Sequence, residues 1–550
     1  MPTRTTSLLL RLLALAMLVG LCANSVSALP DDPTAWTTVR TTHFVIHTDA
    51  SADRGVEVAR GLERFLAVFA SLAPELELRS PAPTRIFAFR DAESYAPYKT
   101  RQDRGGSFLL GQFLSHPDGN YLTLDAGTRL VGSLHVVQHE FVHYLVRHNF
   151  PNAPLWFNEG LAEYYGTFLS DGEVVEVGKP VDRHLRWLSR QGELDLGALL
   201  EMDQASKAYH APGQVGGFYA TSWALMHFLL SGSTERLLQT ADFFLHLEAG
   251  EDADEAFELA FDMRLSSLEE ELGKYLAAGD LPTARIPVEK IREKRWLEVY
   301  ESPPEEILYH LGDLVLHMGR SREAERHFHL ALDHLPEHGP SHGGLALVRD
   351  TQNRFDEARL LYQDAARLRS AEPVNYLAWG RHLLRSARSA PAAEAAEAAE
   401  AARKALRWAH DLYPGYGEAH VLSGLSHQFP GGDPEKGVSH LELARSLLPR
   451  RVELTVDEVR LLAMAGFDSQ AEALIENVLV PRGDFELEDK ARSTLERQSL
   501  LRRAQEAVDA EEYEEGLELF DLAISATRDP TLRQQMEEQY RNLRDQLEGP

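Results

Sequence analysis

The second half of this chain repeats itself about every 34 residues, and that period constrains its fold more than any other feature. Leu311, Gly312, Ala324, Phe328 and Ala331 are matched about 34 positions later by Leu345, Ala346, Ala358, Tyr362 and Ala365, and Pro336 closes the first unit. A third unit opens at Trp379-Gly380 and resumes at Ala402, Leu406, Ala409 and Pro414. Between its two parts lies an Ala/Glu-rich insert, Pro391 to Ala401, read as a helical extension. Weaker units follow at Leu441, Ala444 and Pro449, at Gly466, Ala471 and Ile475, and at Gly516, Phe520 and Ala523. Small residues at fixed positions let two antiparallel helices approach closely. Large apolar ones fill the gaps between neighbouring pairs, so a stack of such units buries one continuous core.

This pattern resembles the tetratricopeptide (TPR) repeat, and the resemblance implies an all-α TPR solenoid over 305–530, with a C-terminal helix or tail at 531–550. Stacked pairs of this kind present a long surface on which a protein partner is expected to dock. Residues 281–304 carry Pro282, Pro287, Pro303 and Pro304 with mixed charge and read as a linker.

Residues 35–280 follow a different grammar, mixed α and β. His43 to His47 alternates as a strand does, Thr84 to Phe89 reads as another, and Ser107 to Gln112 and Tyr121 to Asp125 read as strands joined around Pro117-Asp118-Gly119-Asn120. Val56, Ala59, Leu62, Phe65, Leu66 and Phe69 fall at helical spacing within 52–73.

Residues 1–28 contain Arg4 and Arg11, no acid, an apolar run from Leu12 to Leu21 and a small-residue ending at Val26-Ser27-Ala28. That is the layout of a cleavable secretory signal, which places the mature protein in the periplasm or outside the cell. The apolar run is short for a membrane span, which needs about 20 residues. A lipoprotein attachment at Cys22 is disfavoured by the bulky Leu21 before it. Cys22 is the only cysteine, so an internal disulfide and Cys-rich zinc or iron–sulfur clusters are excluded, and any metal must sit on His, Asp or Glu. The formal net charge of −29 argues against nucleic-acid binding, which relies on Lys and Arg to neutralise phosphates.

His139-Glu140-Phe141-Val142-His143 lies inside an apolar run, Leu134 to Leu145, of helical character. On a helix, positions i and i+4 share a face, so His139 and His143 can address one metal ion, and Zn²⁺ suits neutral imidazole. Glu140, next to the first histidine, is placed to take a proton from a metal-bound water. Two structural histidines would show the same spacing. A third ligand is offered sixteen residues on, where Asn158-Glu159-Gly160-Leu161-Ala162-Glu163 follows a helix start at Pro154-Leu155-Trp156-Phe157. A Glu from this stretch would leave a fourth position open to water, as catalytic zinc requires.

His139 to His143 followed by Asn158-Glu159-Gly160 resembles the gluzincin metallopeptidases, and most of all the peptidase MA-like domains that occur fused to TPR repeats. The resemblance implies an α+β zincin-like domain over 35–280, with zinc held by His139, His143 and Glu159 and Glu140 as general base. It also implies that Glu163 orients a ligand histidine, His139. The alternative assignment puts Glu163 on the metal and Glu159 outside. Tyr219, after Gly216-Gly217, matches a tyrosine that donates to the oxyanion, with Tyr209 and His210 as weaker choices for that role; packing at a helix start is the competing reading. His135 is read as supporting or exposed, not ligating. In such folds the strand before the metal helix is commonly a sheet edge, which here would be Tyr121 to Asp125, open to an extended peptide substrate. The resulting expectation is an exported zinc peptidase whose repeats recruit substrate or partner. Its rivals are an exported TPR scaffold with a structural or inactive metal domain, and a hydrolase of non-peptide amides.

Overall fold

The computed structural model describes residues 29–547 except 73–77, 100–110, 128–129, 151–152, 172, 192–194, 204–205, 207–214, 249–250, 252 and 289–295. The export signal expected over 1–28, and Tyr209 and His210, therefore lie outside the described residues. Strands β1 (Thr37–Thr41), β2 (Val45–Thr48), β3 (Thr84–Phe89), β4 (Gly111–His116) and β5 (Gly119–Asp125) form a sheet completed by β9 (Leu297–Glu301), in the order β4-β5-β3-β2-β1-β9. A smaller sheet joins β6 (Leu169–Ser170), β7 (Val174–Val177) and β8 (Ala284–Pro287).

Helices α1 (Ala52–Leu72), α2 (Ala92–Tyr95), α3 (Leu130–Asn149), α4 (Leu155–Gly166), α5 (Asp182–Gln191), α6 (Leu196–Leu200), α7 (Val215–Ser231), α8 (Thr234–Glu248), α9 (Ala253–Phe261) and α10 (Leu265–Ala278) complete the N-terminal half.

Strand parity explains the layering. Ile46, Ile86, Ala88, Leu122 and Leu124 face one way and join a core with Phe65 of α1 and Phe141, Val142 and Leu145 of α3. Their neighbours Phe87, Phe89 and Tyr121 face the other way and pack against Ile307, Tyr309, Leu311 and Leu314. The sheet is therefore buried on both faces, by its own helices on one and by the repeat array on the other.

The array contains six helix pairs among the described residues: α11 (Pro304–His317) with α12 (Ser321–His334), α13 (Gly339–Thr351) with α14 (Phe355–Arg367), α15 (Pro373–Ser389) with α16 (Ala392–Leu412), α17 (Gly417–Ser426) with α18 (Pro434–Leu447), α19 (Leu454–Met464) with α20 (Asp468–Leu474), and α21 (Phe485–Asp509) with α22 (Tyr513–Ala526). Helix α23 (Pro530–Leu547) packs on the last pair. The small-against-large logic of the repeat is visible in the contacts. A Cβ on Gly312 would meet the Phe328 ring at 2.7 Å, and one on Gly380 would meet Leu406 at 2.7 Å. The Ala/Glu-rich insert is continuous with α16, with Pro391 at its N-cap.

Two expectations need correction. The stretch 281–304 is not a free linker: Ala284–Pro287 pairs with β7 and Leu297–Glu301 pairs with β1, so both sheets close through it. Nor is Tyr121–Asp125 an edge. It pairs parallel with β3 and antiparallel with β4, and each of its residues is buried. The tight turn at Pro117-Asp118 folds β4 back onto its outer side, so Gly111–His116 is the edge.

The array is anchored to the sheet by buried polar contacts. Arg85 lies between Asp313, at 3.4 Å, and Glu372. Tyr121 donates to Asp313 Oδ2 at 2.7 Å, and His47 stacks on His310 at 4.4 Å. A cavity of about 1060 Å³, lined by Arg40, His43, Arg85, His310, Glu372 and Tyr413 among others, lies at this junction. No described helix is long and apolar enough to cross a membrane.

Candidate metal centre

Helix α3 buries Val137, Phe141, Val142 and Leu145 against the sheet, which turns the opposite stripe, His139 and His143, toward α4. Pro154 caps α4 and starts it so that Glu159 faces the same space. Helix α4 can come this close to α7 because position 160 is glycine: a Cβ there would fall 2.4 Å from the Ser222 carbonyl oxygen.

Three donor atoms converge. His139 Nε2 and His143 Nε2 are 3.0 Å apart, and Glu159 Oε2 lies 3.3 Å from His143 Nε2 and 3.7 Å from His139 Nε2. Ligands about 2.0–2.1 Å from a tetrahedral zinc sit about 3.3 Å from one another, so the triangle has the size of one face of such a site. Glu159 Oε2 is buried and has no hydrogen-bond partner. A carboxylate oxygen left without a partner is costly, and a cation held between it and the two imidazoles removes that cost. The donor set of two imidazoles and one carboxylate fits zinc with a coordination position left over.

The surroundings set the ring orientations. His143 Nδ1–H donates to Asn158 Oδ1 at 3.0 Å, which turns Nε2 toward the cluster. Burial and the neighbouring His143 push His139 down to about 3. Burial works against protonating His143 too, but the Glu159 carboxylate and Asn158 hold it above the usual range, so a cation arriving there displaces a proton.

Glu163 faces the other side of His139, 3.9 Å from Nδ1, and not the Nε2 cluster. Its carboxylate is gripped by Arg183 Nη2 at 2.7 Å and His184 Nε2 at 3.0 Å. Burial alone would raise it, but His184, His139 and Arg183 together bring it down to about 2. The geometry thus groups Glu159, not Glu163, with the two Nε2 atoms. His135 bonds through Nδ1 to the Gly166 carbonyl and ties α3 to the end of α4.

Glu140 and Tyr219 line the same cleft as His139, a space of about 510 Å³ shared with Glu163, Arg183 and Trp187. Gly216 and Gly217, before Tyr219, lie within α7. Trp187 packs on them, and a Cβ at Gly217 would strike its ring at 2.2 Å. Sequence reasoning missed Arg183, His184 and Trp187. They sit on amphipathic α5, and no spacing rule links that helix to the His139 motif.

Residues 133–245, which include the cluster, match a family described as "Protein of unknown function (DUF1570)". No curated protein matches the chain. Solved structures similar to it include a thermophilic TPR protein of Thermus thermophilus, 21% identical, covering 35% of this chain and 98% of its own, with a TM-score of 0.26. Pseudomonas aeruginosa pilF is 18% identical, covering 43% and 97%, with a TM-score of 0.28. A tetratricopeptide repeat protein from Parabacteroides merdae is 12% identical, covering 56% and 99%, with a TM-score of 0.24. The repeat architecture of residues 304–547 stands on its own helix pairs.

Proposed function

We propose that the protein is a zinc-dependent hydrolase of peptide bonds carried on a helical-repeat scaffold. The observation behind this reading is the convergence of three donor atoms: buried Glu159 Oε2, which makes no hydrogen bond, faces two imidazole Nε2 atoms at 3.3 and 3.7 Å. The gluzincin resemblance of His139 to His143 and Asn158 to Gly160 agrees with it. In this reading His139, His143 and Glu159 hold Zn²⁺, which when bound acidifies a water and polarises the substrate carbonyl. Glu140 accepts the water's proton and passes it to the leaving amine. Tyr219, on the same cleft, donates a hydrogen bond to the developing oxyanion. Glu163, held by Arg183 and His184, steadies His139. The edge strand β4, which runs beside α3, takes the place of β5 as the strand an extended peptide would join. An export signal over 1–28 would put this chemistry in the periplasm or outside the cell.

A second reading, a repeat scaffold whose metal domain is structural, has more direct support for its scaffold half. The helix pairs are seen, and the larger cavity lies at the junction of sheet and array, with none of His139, His143 and Glu159 in its lining. The array's first pairs are occupied by the chain's own sheet, so a partner protein would use the later pairs or the outer face. One experiment separates the two readings: zinc content by elemental analysis together with peptide-library cleavage, for wild type and Glu140→Gln. The hydrolase reading expects both to hold zinc and the variant to lose roughly 10²–10⁴-fold in rate. Wild-type cleavage by Glu140→Gln would sink it, and zinc without cleavage in either protein would leave the scaffold.

A further inference from the structure

Three imidazoles meet inside the repeat array, far along the chain from the centre described above. His410 comes from α16, His420 from α17 and His440 from α18. One ring nitrogen of each lies within 4.8 Å of the other two. His420 Nδ1 and His440 Nδ1 are 3.1 Å apart, close to the about 3.3 Å between ligands of a tetrahedral cation. His410 stacks on His420 with ring centres 4.1 Å apart.

The second nitrogens of two of these rings are already engaged, as in metal-binding histidines whose other N–H is held by an oxygen. His420 Nε2–H donates to the Pro414 carbonyl at 3.0 Å, which leaves Nδ1 as a bare lone pair. His410 Nε2 bonds to Ser423 Oγ at 2.9 Å, while its Nδ1 is buried with no hydrogen-bond partner. His440 Nδ1–H can donate to the His420 lone pair, but His410 Nδ1 beside them is buried with no hydrogen-bond partner, and a cation between the three rings would satisfy it. Among the described residues, a further cluster of His116, Asp118 and His317 includes a carboxylate, and Arg381 already neutralises that Asp118 from 2.5 and 3.0 Å.

We propose that His410, His420 and His440 form a second metal site, selective for first-row divalent cations that favour imidazole, such as Zn²⁺. Three neutral nitrogen ligands with no carboxylate suit zinc, copper or nickel and not calcium or magnesium. A cation there joins the third helix pair to the fourth, cross-linking α16, α17 and α18 at one point. The site thereby makes the stability of the array depend on metal.

The test uses the full chain stripped with a chelator and titrated with Zn²⁺, followed by calorimetry and thermal unfolding. His143→Ala removes the α3 centre, so the array is read in that background. The expected result is one remaining zinc equivalent per chain and a zinc-induced rise in Tm. Adding His440→Gln should abolish both, weakening binding by more than the about 100-fold that losing an outer partner costs. His410→Gln, on a different helix, serves if His440→Gln fails to fold. Co²⁺ in place of Zn²⁺ should give a nitrogen-ligand absorption spectrum lost in the same variants. The proposal is overturned if the His143→Ala chain binds no zinc, or if His440→Gln or His410→Gln leaves that equivalent in place. Failure of the α3 centre alone would show differently, as equal zinc binding by wild type and His143→Ala.

Discussion

Asp118 and Arg381, 263 residues apart in sequence, meet at the junction of sheet and array in a two-pronged ion pair, Nη1–Oδ2 at 3.0 Å and Nη2–Oδ1 at 2.5 Å. Asp118 sits in the turn between β4 and β5 and is buried, so the pair fastens the outer hairpin of the sheet to α15. Removing Arg381 leaves buried Asp118 with His317, 3.9 Å away, as its remaining counter-charge. Arg381→Ala is expected to destabilise the protein by about 3 kcal/mol, read as a lower midpoint in urea unfolding. Arg381→Met together with Asp118→Leu should recover part of that loss, because the pair is replaced by apolar groups while His317 keeps Asp313 as its counter-charge.

The same junction predicts a pH dependence. Burial disfavours charge on His317, yet Asp313 and Asp118 raise it to about 10 from an ordinary 6.5. A group raised in the folded state contributes stability that is complete below its unfolded value and is lost as pH climbs through its folded value. Thermal stability should therefore decline from about pH 6.5 toward pH 10. His317→Gln should lower stability at pH 6 and flatten that alkaline decline. An unchanged slope between pH 7 and pH 10 in the variant would remove His317 from this role.

Asn158 fixes the His143 tautomer through the 3.0 Å bond to Nδ1. Asn158→Ala should lower zinc affinity about 10–100-fold with the fold intact, as loss of outer partners does elsewhere. Competition against a chromophoric chelator measures this directly. Equal affinity would show that the ring needs no outside help to present Nε2.

Gly160 tests how tightly the centre is positioned. A methyl group at this position meets the backbone of α7 at 2.4 Å, which cannot rotate away as a side chain could. Gly160→Ala is expected to cost about 1–3 kcal/mol and to move Glu159 with α4, so zinc affinity falls together with the unfolding midpoint. A stable variant with wild-type zinc affinity would mean that α4 can shift without disturbing the cluster.

What could be read from sequence was what local spacing encodes. The repeat was legible because Gly312 and Phe328 must fit each other 16 residues apart, a spacing that Ala346 and Tyr362 repeat, while the insert stretches the same fit of Gly380 on Leu406 to 26. His139 and His143 were legible because one helical turn separates them, and Glu159 because a proline-started helix follows. Strand β9 was not. Its alternation is blunted by Glu298 and Glu301 on an exposed edge, and its partner β1 lies at the other end of the N-terminal half. The interior position of β5 was hidden for a related reason: a strand covered on both faces carries no sign of which neighbours flank it. Arg183 and His184 reach Glu163 only through tertiary packing of α5, about which the motif is silent.

The pairing of β1 with β9 also orders events during synthesis. Residues 37–41 leave the ribosome early and wait for residues 297–301 before their sheet can close. The aromatic face carried by Phe87, Phe89 and Tyr121 stays uncovered for longer still, until α11 has followed. Cutting the gene between 280 and 304 to express the two halves would leave the first with an open strand edge and a bare aromatic surface, so the shortest fragment that folds cleanly must run on into the repeats.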